Sequence, residues 1–150
     1  MGKGEEYARK FEEANQQFIN AVENCPDAVW TGKAKGEDRS VATVAHHVAS
    51  SHSYIADRTQ RMAAGEQLTP PNIDEVNAEH ASEHPNPSKE EVVSLLKSNG
   101  AEAAAIYRQI PDEGLQNSIE IPGRGSFSAQ QMIEMVAIGH PAMHLESLQG

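Results

Sequence analysis

Apolar residues recur every three or four positions through four stretches of the chain, the spacing an α-helix needs to bury one face. In the first stretch, Glu5 to Cys25, the stripe is Tyr7, Phe11, Ala14, Phe18, Ala21, Val22 and Cys25, and Pro26 stops it. Ser40 caps the second, which carries Val41, Val44, Ala45, Val48, Ile55 and Met62 and ends near Gly65. The third opens on Ser88-Lys89-Glu90-Glu91, at capping-box spacing, and runs through Val92, Leu95, Leu96, Ile106 and Ile110, with Gly100 weakening its middle. Ser128 and Gln131 start the fourth, which passes Met132, Ile133, Val136, His140, Met143 and His144 toward Leu148.

The connections are less regular. Asp27 to Arg39 reads as a link whose tryptophan, Trp30, seals one end of the core. Gly65 to Ser88 is too long for a structureless loop in a small domain, and Asn72 with Glu75 predicts a short helix from Asn72 to about His80. Ile119-Glu120-Ile121 before Pro122-Gly123 reads as a short extended segment and turn, without a convincing strand pair. The expected fold is all-α, an antiparallel four-helix bundle with one long crossover, residues 1–150 forming a single domain.

Composition narrows the function classes. Asp and Glu outnumber Lys and Arg by 22 to 12, so a net charge of -10 repels nucleic acids and anionic membranes. No stretch approaches the roughly 18 apolar residues of a membrane span. The amino terminus runs into charge without the apolar core of a signal peptide, and the one cysteine, Cys25, suits a reducing cytoplasm. With a single thiol, any metal must be held by nitrogen or oxygen ligands.

Seven histidines are the compositional oddity, and four of them fall in two compact groups, His46-His47 and His140/His144. Residues four apart stand one turn above each other in a helix, so His140 and His144 can present two imidazoles to one ion. They continue the inward stripe of Ile133, Val136 and Ala137, where unpartnered imidazoles would be costly. On the second helix the wheel, at about 100° per residue, puts His47 at the margin of the Val44, Val48 and Ser51 stripe and His46 on the opposite side, as a surface residue. His52 also faces inward, as a rival ligand or a hydrogen-bonding support. Pro141 removes a backbone donor between the two helical histidines; it either sets the imidazole directions by a kink or ends the regular helix early.

Three imidazoles on facing helices suit Zn²⁺ or Ni²⁺ and leave a coordination position open. No Glu is followed three residues later by His, which argues against a di-iron bundle, and no HExxH is present. Glu146, Asp57, Tyr54 and Tyr107 are weak candidates for a general base, and Cys25 reads as buried packing rather than a nucleophile.

These residues resemble the DinB/YfiT-like superfamily of metal-dependent enzymes over nearly the whole chain. The carriers are Trp30, Ser40-Val41-Ala42-Thr43-Val44-Ala45-His46-His47, and Ile138-Gly139-His140-Pro141-Ala142-Met143-His144, close to the family's I-G-H-D-A-Y-H. The resemblance implies His47, His140 and His144 as metal ligands, an asparagine at Asn77, and a homodimer. It also implies activity as a hydrolase or as a transferase using a low-molecular-weight thiol. Pro141, Met143 and Ser147 depart from the usual Asp, Tyr and Gln, which puts inherited substrate contacts in question. The expected function is a mononuclear metal-dependent enzyme acting on a small molecule, with a non-catalytic metal- or ligand-binding module as the alternative.

Overall fold

A computed structural model describes residues 2–149. Helix α1 (Lys3–Glu23) is followed by a one-turn helix, α2 (Asp27–Trp30), within the expected connection. Then come α3 (Val41–Ala63), α4 (Ile73–Glu83) and α5 (Lys89–Gln109). The fourth long helix is composite. A turn of α-helix, α6 (Ala129–Gln131), opens into a seven-residue π-helical stretch (Met132–Ile138), returns to α-helix in α7 (Gly139–His144) and tightens to a 3₁₀ turn (Leu145–Gln149). Among the described residues, no helix is long and apolar enough to cross a membrane.

The helix starts follow local chemistry. Ser40, Asn72 and Ser88 each accept a hydrogen bond from the backbone N–H three residues on, and Ser128 with Gln131 forms a complete capping box. Gly65, at φ +93°, leaves α3 through the left-handed region that other residues avoid. The segment at 118–128 departs from expectation. β1 (Ser118–Ile121) and β2 (Gly125–Ser128) pair antiparallel, Ile119 opposite Phe127, so a small hairpin leads into the fourth helix.

Contacts along the helices fix the topology. Arg108 meets Glu5 and Glu12, and Asn15 Nδ2 donates to the Leu96 carbonyl, so α1 and α5 run antiparallel. His46 meets Glu91 and the Ala49 carbonyl accepts from Asn99, so α3 and α5 run parallel. At 1.5 Å per residue the 23-residue α3 is about 35 Å long, and a parallel neighbour requires the chain to travel back over that length. The long crossover does this, with α4 inside it.

The core has two main apolar clusters. One gathers Phe18, Val22, Trp30, Val48, Leu96 and Leu148; the other gathers Phe11, Ile55, Tyr107, Leu115, Ile133 and Ala137. Between them, on three helices, lie Asn15, His52 and Gly100. His52 is 1% exposed, and its Nε2 lies 2.7 Å from Asn15 Oδ1, an acceptor, so the imidazole donates. Burial pushes its pKa down to about 4.

Gly100 makes this layer possible, since a Cβ there would stand 2.2 Å from Asn15 Nδ2. In an open helix Gly→Ala gains about 1 kcal/mol. Here Gly100→Ala is expected to destabilise by about 2 kcal/mol, because Asn15 must leave two buried partners, and urea unfolding reads the sign. A second expectation concerns protons. The folded pKa of His52 lies below its ordinary value near 6.5, so its contribution is greatest above that value and falls with pH until about 4. Between these limits the stability of metal-free wild type should fall by up to ~1.4 kcal/mol per pH unit more steeply than that of His52→Leu. Equal slopes in the two proteins would contradict this.

Candidate metal centre

Helix α3 brings His47, and α7 brings His140 and His144, to one place. The Nε2 atoms of His47 and His140 are 3.2 Å apart, as are those of His140 and His144. One ring nitrogen from each of the three lies within 4.8 Å of the others. Two nitrogens bound at about 2.0–2.1 Å to a tetrahedral ion stand roughly 3.3 Å apart, so the observed spacing fits a shared cation. The three rings meet nearly edge to face, at interplanar angles of 84–88°.

Pro141 does not prevent this. Its ring would crowd the carbonyl of Ala137 in a regular helix. The chain instead passes through the π-helical stretch immediately before, a wider turn that accommodates a residue unable to donate. Beyond it, His140 and His144 stand one α-turn apart with ring centroids 4.7 Å from each other.

The electrostatics keep the imidazoles neutral, the form that ligates. Burial, then the neighbouring His140 and the Arg39 guanidinium, push the His47 pKa down to about 3. Burial, His144, His52 and Arg39 take His140 to about 4, while burial and Arg39 lower His144 against an opposing pull from Glu37. His140 Nδ1 is buried without a partner. With Nε2 aimed at its two neighbours, Nδ1 is where the ring proton resides when Nε2 ligates. Three converging lone-pair nitrogens are a poor hydrogen-bonded set, since one proton cannot satisfy them all, and a good ligand set for a borderline cation.

The other singled-out residues fall elsewhere. His52 serves Asn15 and is not among the converging nitrogens. Glu146 lies 3.5 Å from Lys35 and Asp57 3.6 Å from Arg61, Tyr54 is exposed, and Tyr107 is buried against Phe11 with its hydroxyl unpartnered. Cys25 is buried, and burial raises its thiol pKa, as suits a packing residue. Asn77 Oδ1 is buried without a partner.

His46 corrects the expectation of a surface residue. It is 4% exposed, because α4 and the start of α5 cover the side of α3 opposite the first stripe. One ring nitrogen each from His46, His80 and His84 forms a second group within 4.8 Å. The i, i+4 spacing of His80 and His84 repeats that of His140 and His144 and was readable in the sequence. Arg39 was also missed. Paired with Glu37 and with one guanidinium nitrogen, Nη1, buried and unpartnered, it borders a groove lined by Asp38, Ser40, Thr43, Ala81 and Pro85. No sequence signal marked it, since it lies in a connection.

The fold resembles that of YfiT from Bacillus subtilis, a probable metal-dependent hydrolase with an unusual four-helix bundle topology. The identity is 16% and the TM-score 0.78, over 97% of this chain and 83% of that one. It also resembles a mycothiol-dependent maleylpyruvate isomerase, at 13% identity and a TM-score of 0.77, over 97% of this chain and 60% of the isomerase. The chain thus spans about 60% of the isomerase's length, and at these identities the likeness is one of fold. No curated protein matches the sequence. The sequence pattern of the DinB superfamily matches residues 10–148, nearly the whole bundle, and the chain belongs to that superfamily.

Proposed function

We propose that the protein is a mononuclear metal-dependent enzyme, a hydrolase or a low-molecular-weight-thiol S-transferase, with His47, His140 and His144 as ligands of a divalent ion, Zn²⁺ or Ni²⁺. The observation that carries this reading is the convergence of three neutral imidazole nitrogens from two helices at ligand spacing. When bound, such an ion supplies a Lewis acid that favours the deprotonated form of a water or a thiol. The homodimer and the cytoplasmic setting belong to the same proposal. The solved structures of similar fold, a probable metal-dependent hydrolase and a mycothiol-dependent isomerase, support both branches of the activity.

The chain's own groups define the rest. All three rings are half-buried rather than sealed, as access by a small molecule requires. Protein-closed coordination, as in a purely structural site, would need a fourth ligand, and none is grouped with these three among the described residues. The Arg39 guanidinium is near enough to depress all three imidazoles, and its unpartnered Nη1 can donate to an anionic atom of substrate or thiol. Arg39 is thus the proposed anion-positioning group, held in place by Glu37.

Metal analysis tests the ligand set. Ala at His47, His140 or His144 should each lower affinity for Zn²⁺ at this centre by at least about a hundredfold while far-UV circular dichroism stays unchanged. Undiminished affinity in all three would defeat the reading. Assays with bacillithiol, glutathione or mycothiol beside an ester and amide panel then separate the two branches. For Arg39, the measurement is binding of a small thiol to the Co²⁺-loaded protein, read from its visible absorption. Arg39→Ala should weaken that binding roughly tenfold or more and leave Co²⁺ affinity at the centre undiminished.

A further inference from the structure

Helix α4 docks on the bundle without an apolar face. None of its residues is buried in the core, and its large apolar side chains, Ile73 and Val76, are exposed. The residues just after it add direct hydrogen bonds to the bundle. Thr43 Oγ1 donates to the His84 carbonyl at 2.7 Å, and Trp30 Nε1 donates to the Pro87 carbonyl at 3.2 Å. What this end of α4 turns toward α3 is a pair of histidines, His80 within the helix and His84 at its C-terminal cap, against the buried His46.

This group repeats the plan of the first centre. In each, one histidine of α3 meets two histidines spaced i, i+4, both on α7 in the first group, and in the second His80 of α4 and His84 at that helix's C-terminal cap; the two α3 residues are consecutive. Adjacent residues of a helix diverge by about 100°, so His46 and His47 serve different neighbours. His46 Nδ1 lies 2.8 Å from His80 Nε2, and the His46 and His84 rings stack at 4.0 Å between centroids. On the far side, His46 Nε2 lies 3.2 Å from a Glu91 carboxylate oxygen. A carboxylate accepting from one ring nitrogen fixes the tautomer and leaves the other nitrogen a lone pair, the arrangement that orients ligating histidines in metal proteins. His80 Nδ1 and, one turn earlier, Asn77 Oδ1 are buried without partners. The polar layer under α4 is therefore incompletely satisfied by protein groups alone.

We propose that His46, His80 and His84 form a second site for a divalent cation of the Zn²⁺ class, oriented by Glu91, which fastens α4 and the crossover to α3. The 2.8 Å between His46 and His80 is also a hydrogen-bond length, and binding would spread the two nitrogens by about half an ångström. His84, half-buried at the rim, has the freedom to complete the set. The proposal is independent of the enzymatic reading, because it needs neither His140 nor His144.

The test is Zn²⁺ stoichiometry on the chelator-treated full chain, by competition with a chromophoric chelator, with limited proteolysis of the 64–88 crossover as a second readout. Wild type should bind two equivalents. His84→Ala and the milder His84→Gln should bind one, His140→Ala one, and His84→Ala/His140→Ala none. Zinc should slow cleavage of the crossover on the order of tenfold in wild type and in His140→Ala, but not in His84→Ala. If the first centre held no metal, His140→Ala would match wild type, and only the His84 variants would lose zinc and protection. The second site is overturned if the stoichiometry and crossover protection of His84→Ala and His84→Gln equal those of wild type, which would leave a hydrogen-bonded imidazole cluster.

Discussion

Imidazole buried beside apolar core is the constraint on which the rest of this bundle depends. Asn15, His52 and Gly100 form a polar level across α1, α3 and α5, dividing the apolar core in two. On the fourth helix the corresponding stretch between Ala137 and Leu148 carries His140 and His144. A buried polar group costs a few kcal/mol unless partnered, so each of these side chains dictates something about its neighbours. His52 demands Asn15, Asn15 demands the Leu96 carbonyl, and the space for Asn15 demands a glycine at 100 despite its cost within a helix. Among the described residues, the histidines of the fourth helix meet only each other and His47, their ring nitrogens converging on one place.

Much of this was legible locally. The four N-caps, the ends at Pro26 and Gly65, and the helix between the crossover prolines all follow from interactions within a few residues, which a sequence displays directly. The inward placement of His47, His140 and His144 was legible too, since a stripe on one helix has one core to face. The β-hairpin was not. Its second strand, Gly-Ser-Phe-Ser, shows only one large apolar residue, and its pairing depends on Ile119 meeting Phe127.

The misplacement of His46 has a different cause. A helical wheel distinguishes core from surface only when the surface is empty, and α3 is covered on two sides. The covering helix was legible as a helix but not as a cover, because it buries no core residue and shows no apolar stripe to say which face docks. Arg39 escaped for a related reason. A charged residue in a loop acquires meaning only from the three imidazoles whose protonation it opposes. Polar docking is written in pairs of residues far apart in sequence, whereas apolar docking is written in the period of each segment.

The two histidine groups are also mechanically joined. His80 lies 5.6 Å, centroid to centroid, from His47 and bonds to His46, while His46 and His47 share consecutive backbone units in α3. Any ligand that favours one position of α4 therefore acts on a ring packed against the first centre. Its reach is limited to its differential affinity for the docked and undocked states. Because α4 contributes no fully buried apolar side chain to hold it in place, that difference meets little resistance from the core. A crossover held by imidazoles rather than by leucines is one whose docking can be set by chemistry at the site, and Ala81 of α4 lines the same groove as Arg39, so that adjustment falls beside the proposed anion-positioning group.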